Sequence, residues 1–191
     1  LQEGSGPRLL RIQRPLLARE YRFDGLRFDA VHAIAEQDWL DHLAARIRSE
    51  IQAETPGRHV HLVLENERNG ASHLRTGPRA PGFDAQWNDD GHNVLHPLLT
   101  GEREAYYEDF ADDGAEKLAR VLAEGFLFQG ETMPHLGHAR GEPSAHLPPT
   151  AFVLFLQNHD QVGNRAFGER LPALSRPQAL KAATALLLLS P

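Results

Sequence analysis

The sequence contains no cysteine. That excludes disulfides, a thiolate nucleophile and a thiolate metal site, and it suits a reducing, cytoplasmic compartment. Long apolar runs are missing as well: the densest, residues 182–189, falls far short of the ~20 residues that a membrane-spanning helix needs. Residues 1–14 carry no apolar core of signal-peptide length. Positive charge is not in excess. With 20 Lys and Arg against 26 Asp and Glu, dispersed and summing to -6, the chain offers no footprint for a nucleic-acid backbone or an anionic membrane surface. There is no HExxH or other tight ligand spacing. His59, His61, His73, His135, His138 and His146 therefore read as surface or hydrogen-bonded structural residues, and neither a catalytic metal nor a cofactor is expected. Repeats and low-complexity tracts are absent too. What remains is the composition of a soluble globular domain, 41% hydrophobic and 24% charged over 191 residues, whose partners are expected to be neutral.

Residues 1–18 mix Gly, Pro, Arg and Leu without a helical or alternating period, so residues 1–20 form an N-terminal segment with no assigned element. From Tyr21 the pattern sharpens. A turn signal followed by alternation over residues 23–30 predicts a short strand that ends in a functional loop. Trp39, Leu40, Leu43, Ile47 and Ile51 recur at helical spacing up to the break at Pro56-Gly57. Residues 59–64 read as a second strand that runs into Glu65-Asn66. Residues 83–87 read as a short strand leading into Asn88-Asp89-Asp90, and residues 102–124 as mostly helical. The Pro-, Gly- and His-rich stretch 130–149 reads as a long loop. Residues 151–156 are the strongest buried-strand candidate, and they lead into Gln157-Asn158-His159-Asp160-Gln161. A last helix covers residues 177–189.

Strands alternating with helices predict a parallel α/β sheet, and polar clusters at strand C-terminal ends suit a (β/α)8 barrel with its active site on that face. About half of such a barrel fits in residues 21–191, roughly strands 4 to 7 with their helices. The chain begins with Leu and stops directly after an apolar stretch, so it reads as a piece of a longer protein.

Three acidic residues, Asp29, Glu65 and Asp160, each follow a predicted strand, and a barrel gathers such positions at one mouth. Two carboxyl groups suffice for glycosidase chemistry: one attacks the anomeric carbon while the other protonates the leaving oxygen. A third can stabilise oxocarbenium charge. Taken singly, each acid is as well explained as a solvated loop residue or a helix N-cap. Their joint occurrence in order, within FDGLRFDAVHAI, HLVLENERN and FLQNHDQ, is what carries the reading.

On these three segments the chain resembles the α-amylase superfamily, glycoside hydrolase family 13, and the resemblance spans residues 21–191. It implies Asp29 as nucleophile, Glu65 as general acid and base, and Asp160 as transition-state stabiliser. Arg27 would share that mouth, its fixed positive charge favouring the ionised form of Asp29. His32 and His159 would donate to sugar hydroxyls, and Gln161 and Asn164 would line the same cleft. Within the superfamily, FDAQWNDDGHNVLHPLLTGE, ENERN and GEPSAHLPPTAFVLFLQNHDQVGNRAFGERL resemble the maltooligosyltrehalose trehalohydrolases. That resemblance implies cleavage of the α-1,4 bond next to a terminal trehalose, with maltooligosyl-trehalose or a related α-glucan as the partner. Trp87 would offer an apolar face to a sugar ring, or pack in the core, and Asn88, Asp89, Asp90 and His92 would offer hydroxyl partners. The family's usual large apolar residue after WNDD, often followed by two histidines, is replaced here by Gly91, His92 and Asn93. The alternatives are another enzyme of the superfamily, such as a glycogen branching enzyme or an α-amylase, and an inactive glucan-binding fragment. The superfamily's earlier barrel strands, its last strand and its C-terminal β domain have no counterpart, so the isolated fragment is expected to be inactive.

Overall fold

The computed structural model describes residues 17–77 and 80–190. The unassigned segment of the sequence reading lies, up to residue 16, outside the described residues. The chain divides into two compact units. One takes the described residues up to Asn66 together with those of His73–Gln86, and the other takes Glu67–Ser72 and everything from Trp87 onward.

The first unit is built on parallel strands. β1 (Gly25–Phe28) pairs with β2 (His61–Leu64) in the register Gly25↔His61 to Phe28↔Leu64. β2 pairs in parallel with β3 (Ala85–Trp87) through Val63↔Ala85 and Leu64↔Gln86. Parallel neighbours need a crossover, and the 17-residue helix α1 (Asp38–Glu54) provides the one between β1 and β2. Its buried residues, Trp39, Leu40, Leu43, Ala44, Ile47 and Ile51, fall on one stripe, as the apolar spacing predicts. Phe28 and Phe83, both fully buried, meet edge to face at 5.3 Å in this unit's core.

In the second unit, α2 (Asp89–Thr100), α3 (Glu108–Ala111) and α4 (Gly114–Glu124) surround a core of Val94, Phe110, Val121, Leu127, Phe128 and Met133. A small hairpin, β4 (Thr132–Met133) and β5 (His138–Ala139), lies within the expected long loop. β6 (Phe152–Val153) follows, and Asn88 N donates to Val153 O at 3.0 Å. α5 (His159–Gly163), α6 (Leu171–Leu174) and α7 (Pro177–Leu189) follow. Gly125 closes α4 at φ +93, and an added Cβ would sit 2.2 Å from the Phe152 ring, so only glycine fits that turn.

Three expectations change. Residues 88–90, expected as a polar cluster at a strand end, are the N-cap and first turn of α2, with Asn88 Oδ1 accepting from Gly91 N. Gly91, Asn93 and Pro97 lower the intrinsic helix propensity, and burial of Val94 and Leu95 overrides it. The helical stretch 102–124 is broken at Asp112-Asp113, where Asp113 takes φ 50. The apolar run 151–156 gives only the two residues of β6, because Pro148 and Pro149 lead the chain into a 3-10 turn (Pro149–Ala151) first. The last helix, in contrast, starts and ends as its sequence predicts. No helix among the described residues is long and apolar enough to cross a membrane.

Candidate active site

Asp29 and Glu65 follow the C-terminal ends of adjacent parallel strands, so the β1–β2 register alone brings them side by side. Arg27, on β1 itself, spans the pair: Nη1 lies 2.5 Å from Asp29 Oδ1, and Nη2 lies 2.7 Å from Glu65 Oε1. The other Glu65 oxygen accepts from the backbone N–H of Ala30 at 2.8 Å. Ala30 itself adopts a left-handed conformation, φ 45 and ψ 43, unusual for a residue with a Cβ, and the chain turns there towards Glu65. Val31 N then donates to Glu65 O, and Glu65 N donates to Phe28 O. Glu65 is thus fixed through backbone as well as charge, while Asp29 is held by its pair with Arg27. Their environments differ: the Asp29 side chain is 71% exposed and that of Glu65 only 16%. His32 sits in the 3-10 turn Val31–Ala33 directly after Asp29 and is half-buried.

The same unit holds a cluster that the sequence reading passed over. Asp84 is a half-buried hub that accepts from Arg48 Nη2 at 2.8 Å, Arg75 Nη1 at 2.7 Å and Leu62 N at 2.7 Å. Burial pushes its carboxyl up, and Arg48 with the Leu62 N–H outweighs that, leaving it below the usual carboxylate range. Burial lowers the neighbouring His59, against the opposing pull of Asp84. His59, His61 and Asp84 bring one donor atom each within 4.8 Å of one another. Two guanidinium groups already face the single carboxylate there, so the cluster carries net positive charge and disfavours a divalent cation.

Asp160 belongs to the second unit, in the first turn of α5. Asn158 and Gln161 form a capping box around it: Asn158 Oδ1 accepts from Asp160 N at 2.8 Å, and Gln161 Oε1 accepts from Asn158 N at 2.9 Å. Asn164 Nδ2 returns to Asp160 O. Gln161 and Asn164 therefore shape the turn that presents Asp160 and His159, both exposed. Trp87 lies against Phe155 at 5.6 Å and against the His159 ring at 6.4 Å. This gathers an aromatic face, an imidazole and a carboxylate.

The resemblance implies Asn88, Asp89, Asp90 and His92 as hydroxyl partners for a sugar. Asp89 keeps partial exposure at the start of α2. The other three are fully buried, with their polar groups committed inside the protein. Asn88 Nδ2 donates to Gly125 O. Asp90 receives Arg140 Nη1 at 2.6 Å, Asn69 Nδ2 at 2.7 Å, Leu127 N at 2.8 Å and Phe128 N at 3.1 Å. These three support the structure of α2 rather than facing solvent. Gly91 has a local reason as well: a Cβ there would stand 2.6 Å from Leu154 Cδ2, so a large residue cannot occupy this helix position without displacing Leu154.

His92 is held neutral, its pKa lowered to about 4 chiefly by burial. Its Nδ1–H must then donate to Leu156 O at 2.7 Å, leaving Nε2 to accept from the Tyr107 hydroxyl at 2.9 Å. One helical turn later, His96 Nε2 donates to Glu102 Oε2 at 2.8 Å. Glu102 also takes a two-pronged pair from Arg165, at 2.9 and 2.8 Å. Arg165 first, and His96 after it, hold the Glu102 carboxyl down at about 2. Glu102 and Arg165 lie 63 positions apart, and neither stands out by pattern.

No protein-family model matches the chain. Curated relatives do. The malto-oligosyltrehalose trehalohydrolase of Arthrobacter ramosus is 39% identical over 178 residues, 91% of this chain and 30% of that protein. The enzyme of the same name from Saccharolobus solfataricus is 36% identical over 174 residues, 90% of this chain and 30% of that protein. A 1.4 Å crystal structure of a protein assigned as an α-amylase, from Salmonella typhimurium, superposes with a TM-score of 0.86 at 47% identity, covering 97% of this chain and 32% of that one. The chain spans about 30% of the length of these relatives. By sequence and fold together, this chain is a relative of the malto-oligosyltrehalose trehalohydrolases that carries part of an α-amylase-type barrel, with the barrel not closed.

Proposed function

We propose that this chain supplies the reacting carboxylates of a glycosidase that releases trehalose from the end of a maltooligosyl-trehalose by a retaining mechanism. The observation that carries the reading is the single Arg27 guanidinium joining Asp29 and Glu65 at the ends of neighbouring parallel strands. Retention needs two carboxyl groups close enough to act on one glycosidic bond without a water between them and the ring. Asp29, the more exposed, attacks the anomeric carbon of the glucosyl residue that precedes the trehalose. Glu65 gives its proton to the departing O4 of trehalose as the C–O bond breaks. Glu65, now ionised, takes a proton from water, whose oxygen attacks the same carbon and frees Asp29. The role that the resemblance implies for Asp160 is to stabilise the positive charge that develops on the ring in both steps. Trp87 covers the apolar face of a sugar, and His32 and His159 donate to its hydroxyls. The names of the curated relatives support this substrate, and a cysteine-free chain suits a cytoplasmic enzyme.

The test is made in the complete protein. Asp29→Asn and Glu65→Gln are each expected to lower turnover by several orders of magnitude without loss of the folded state. For Glu65→Gln, azide partly restores turnover on a substrate with a good leaving group, which needs no acid, while azide needs no base. Near-normal turnover in either variant ends the role assigned to that residue. Trehalose appearing equally from plain maltooligosaccharide, or new α-1,6 linkages, would move the reading to another enzyme of the superfamily.

A further inference from the structure

The segment that presents His159 and Asp160 is short, and both residues are exposed. Its two ends are tied to one helix. On the entering side, Leu156 O accepts from His92 Nδ1 at 2.7 Å, and the Phe155 ring stacks on the His92 ring at 5.6 Å and 9°. On the leaving side, Arg165 makes its two-pronged pair with Glu102, which also accepts from His96. His92 and His96 are one turn apart on α2, so they share a face. Tyr107 ties the two points together: its hydroxyl bonds His92 Nε2, and its ring stacks on His96 at 4.3 Å and 12°. Between these anchors the segment is closed on itself by the capping box of Asn158 and Gln161 and by the Asn164 return.

We infer that Glu102 and Arg165 are positioning residues, forming with His92 and His96 a two-point clamp that sets the Asp160 turn in its reactive place. The inference rests on the reading of Asp160 given above and adds the device that holds it. Neither Glu102 nor Arg165 touches substrate in this scheme. The contribution runs through the backbone: with Arg165 pinned, Asn164 and the Asp160 carbonyl that it bonds are fixed from one side, while His92 fixes Leu156 from the other. Two features favour a clamp over an ordinary surface ion pair. The pair is bidentate, which fixes direction as well as distance, and Glu102 is itself oriented by the buried His96. A displacement of a reacting group by about 1 Å costs on the order of 100-fold in rate, so a loosened turn affects turnover before it affects binding.

The experiment compares Glu102→Gln, Arg165→Ala, Arg165→Lys and Asp160→Asn in the complete protein, with kcat and KM measured on maltooligosyl-trehalose. Glu102→Gln and Arg165→Ala are expected to lower kcat by roughly 10- to 100-fold with KM changed less than about threefold. Guanidinium ion at millimolar concentration should restore part of the kcat of Arg165→Ala, and Arg165→Lys, which keeps the charge without the fork, should fall between. Thermal transitions close to wild type show that the losses are not unfolding. If Glu102→Gln fails to fold, the guanidinium rescue of Arg165→Ala decides in its place. Asp160→Asn inactive, with Glu102→Gln and Arg165→Ala at wild-type kcat, overturns the clamp and leaves the site reading standing. Asp160→Asn with wild-type kcat overturns both.

Discussion

Replacing Asp90 by Asn keeps the size of the side chain and its place in the first turn of α2, and removes one charge. Its carboxylate accepts four hydrogen bonds, from Arg140, Asn69, Leu127 and Phe128, with no solvent exposure. An amide offers one acceptor oxygen and sets an NH2 group against N–H donors. The Arg140 side chain, 5% exposed, loses its counter-charge. Its other contacts, to Glu67 O and over the Phe128 ring, do not replace it. Removing one member of such a pair costs about 3–5 kcal/mol, because the remaining charge stays buried and uncompensated. Arg140→Met should cost a similar amount, with Asp90 then held only by three N–H donors. The double variant Asp90→Asn/Arg140→Met removes both charges and should cost less than the sum of the singles, by about 1–3 kcal/mol. Equilibrium urea unfolding of the complete protein and the three variants, run side by side, measures all of this. Losses below about 1 kcal/mol in the singles, or plain additivity in the double, would refute the buried-pair account. A change in KM without a change in stability would return Asp90 to the sugar-contacting role suggested by its sequence neighbourhood.

Stability should depend on pH through two groups with separate windows. His92 titrates near 6.5 when unfolded and at about 4 when folded, so its neutral burial is fully accommodated above pH 6.5 and stability is lost as pH falls from there to 4, by an amount on the order of 3 kcal/mol. His92→Phe should flatten that part of the urea-unfolding profile, and an unchanged slope would count against the buried neutral imidazole. Glu102 has its folded value depressed from 4.5 to about 2, so its pair with Arg165 contributes above pH 4.5 and is lost as pH falls towards 2, worth about 1 kcal/mol after solvent screening. Residues 1–191 expressed alone should release no trehalose, since an open barrel leaves strand edges unpaired. Release at the rate of the complete protein, together with a cooperative thermal transition, would contradict that expectation.

The placement of Asp29 and Glu65 was legible in the sequence because a strand's C-terminal end is a local property. An apolar run of strand length followed by an acid marks it, and parallel pairing puts two such ends together. α1 and α7 were equally legible, the first from its 3.6-residue stripe and the second from an unbroken run of helix formers after Pro177. α2 was not: Gly91, Asn93 and Pro97 argue locally against a helix, and only packing around Val94 and Leu95 decides for one. The same packing turned Asp90 and His92 inward. Spacing says which residues follow a strand, but not which of them the next element will bury. Asp84, Arg140, Glu102 and Arg165 were invisible for a related reason. Each acts through a partner between 9 and 63 positions away, and no periodicity encodes a contact that exists only after distant segments have come together. The sequence determined which carboxylates stand at strand ends; tertiary structure decided which polar groups are buried, because packing and hydrogen bonding commit them inside the protein.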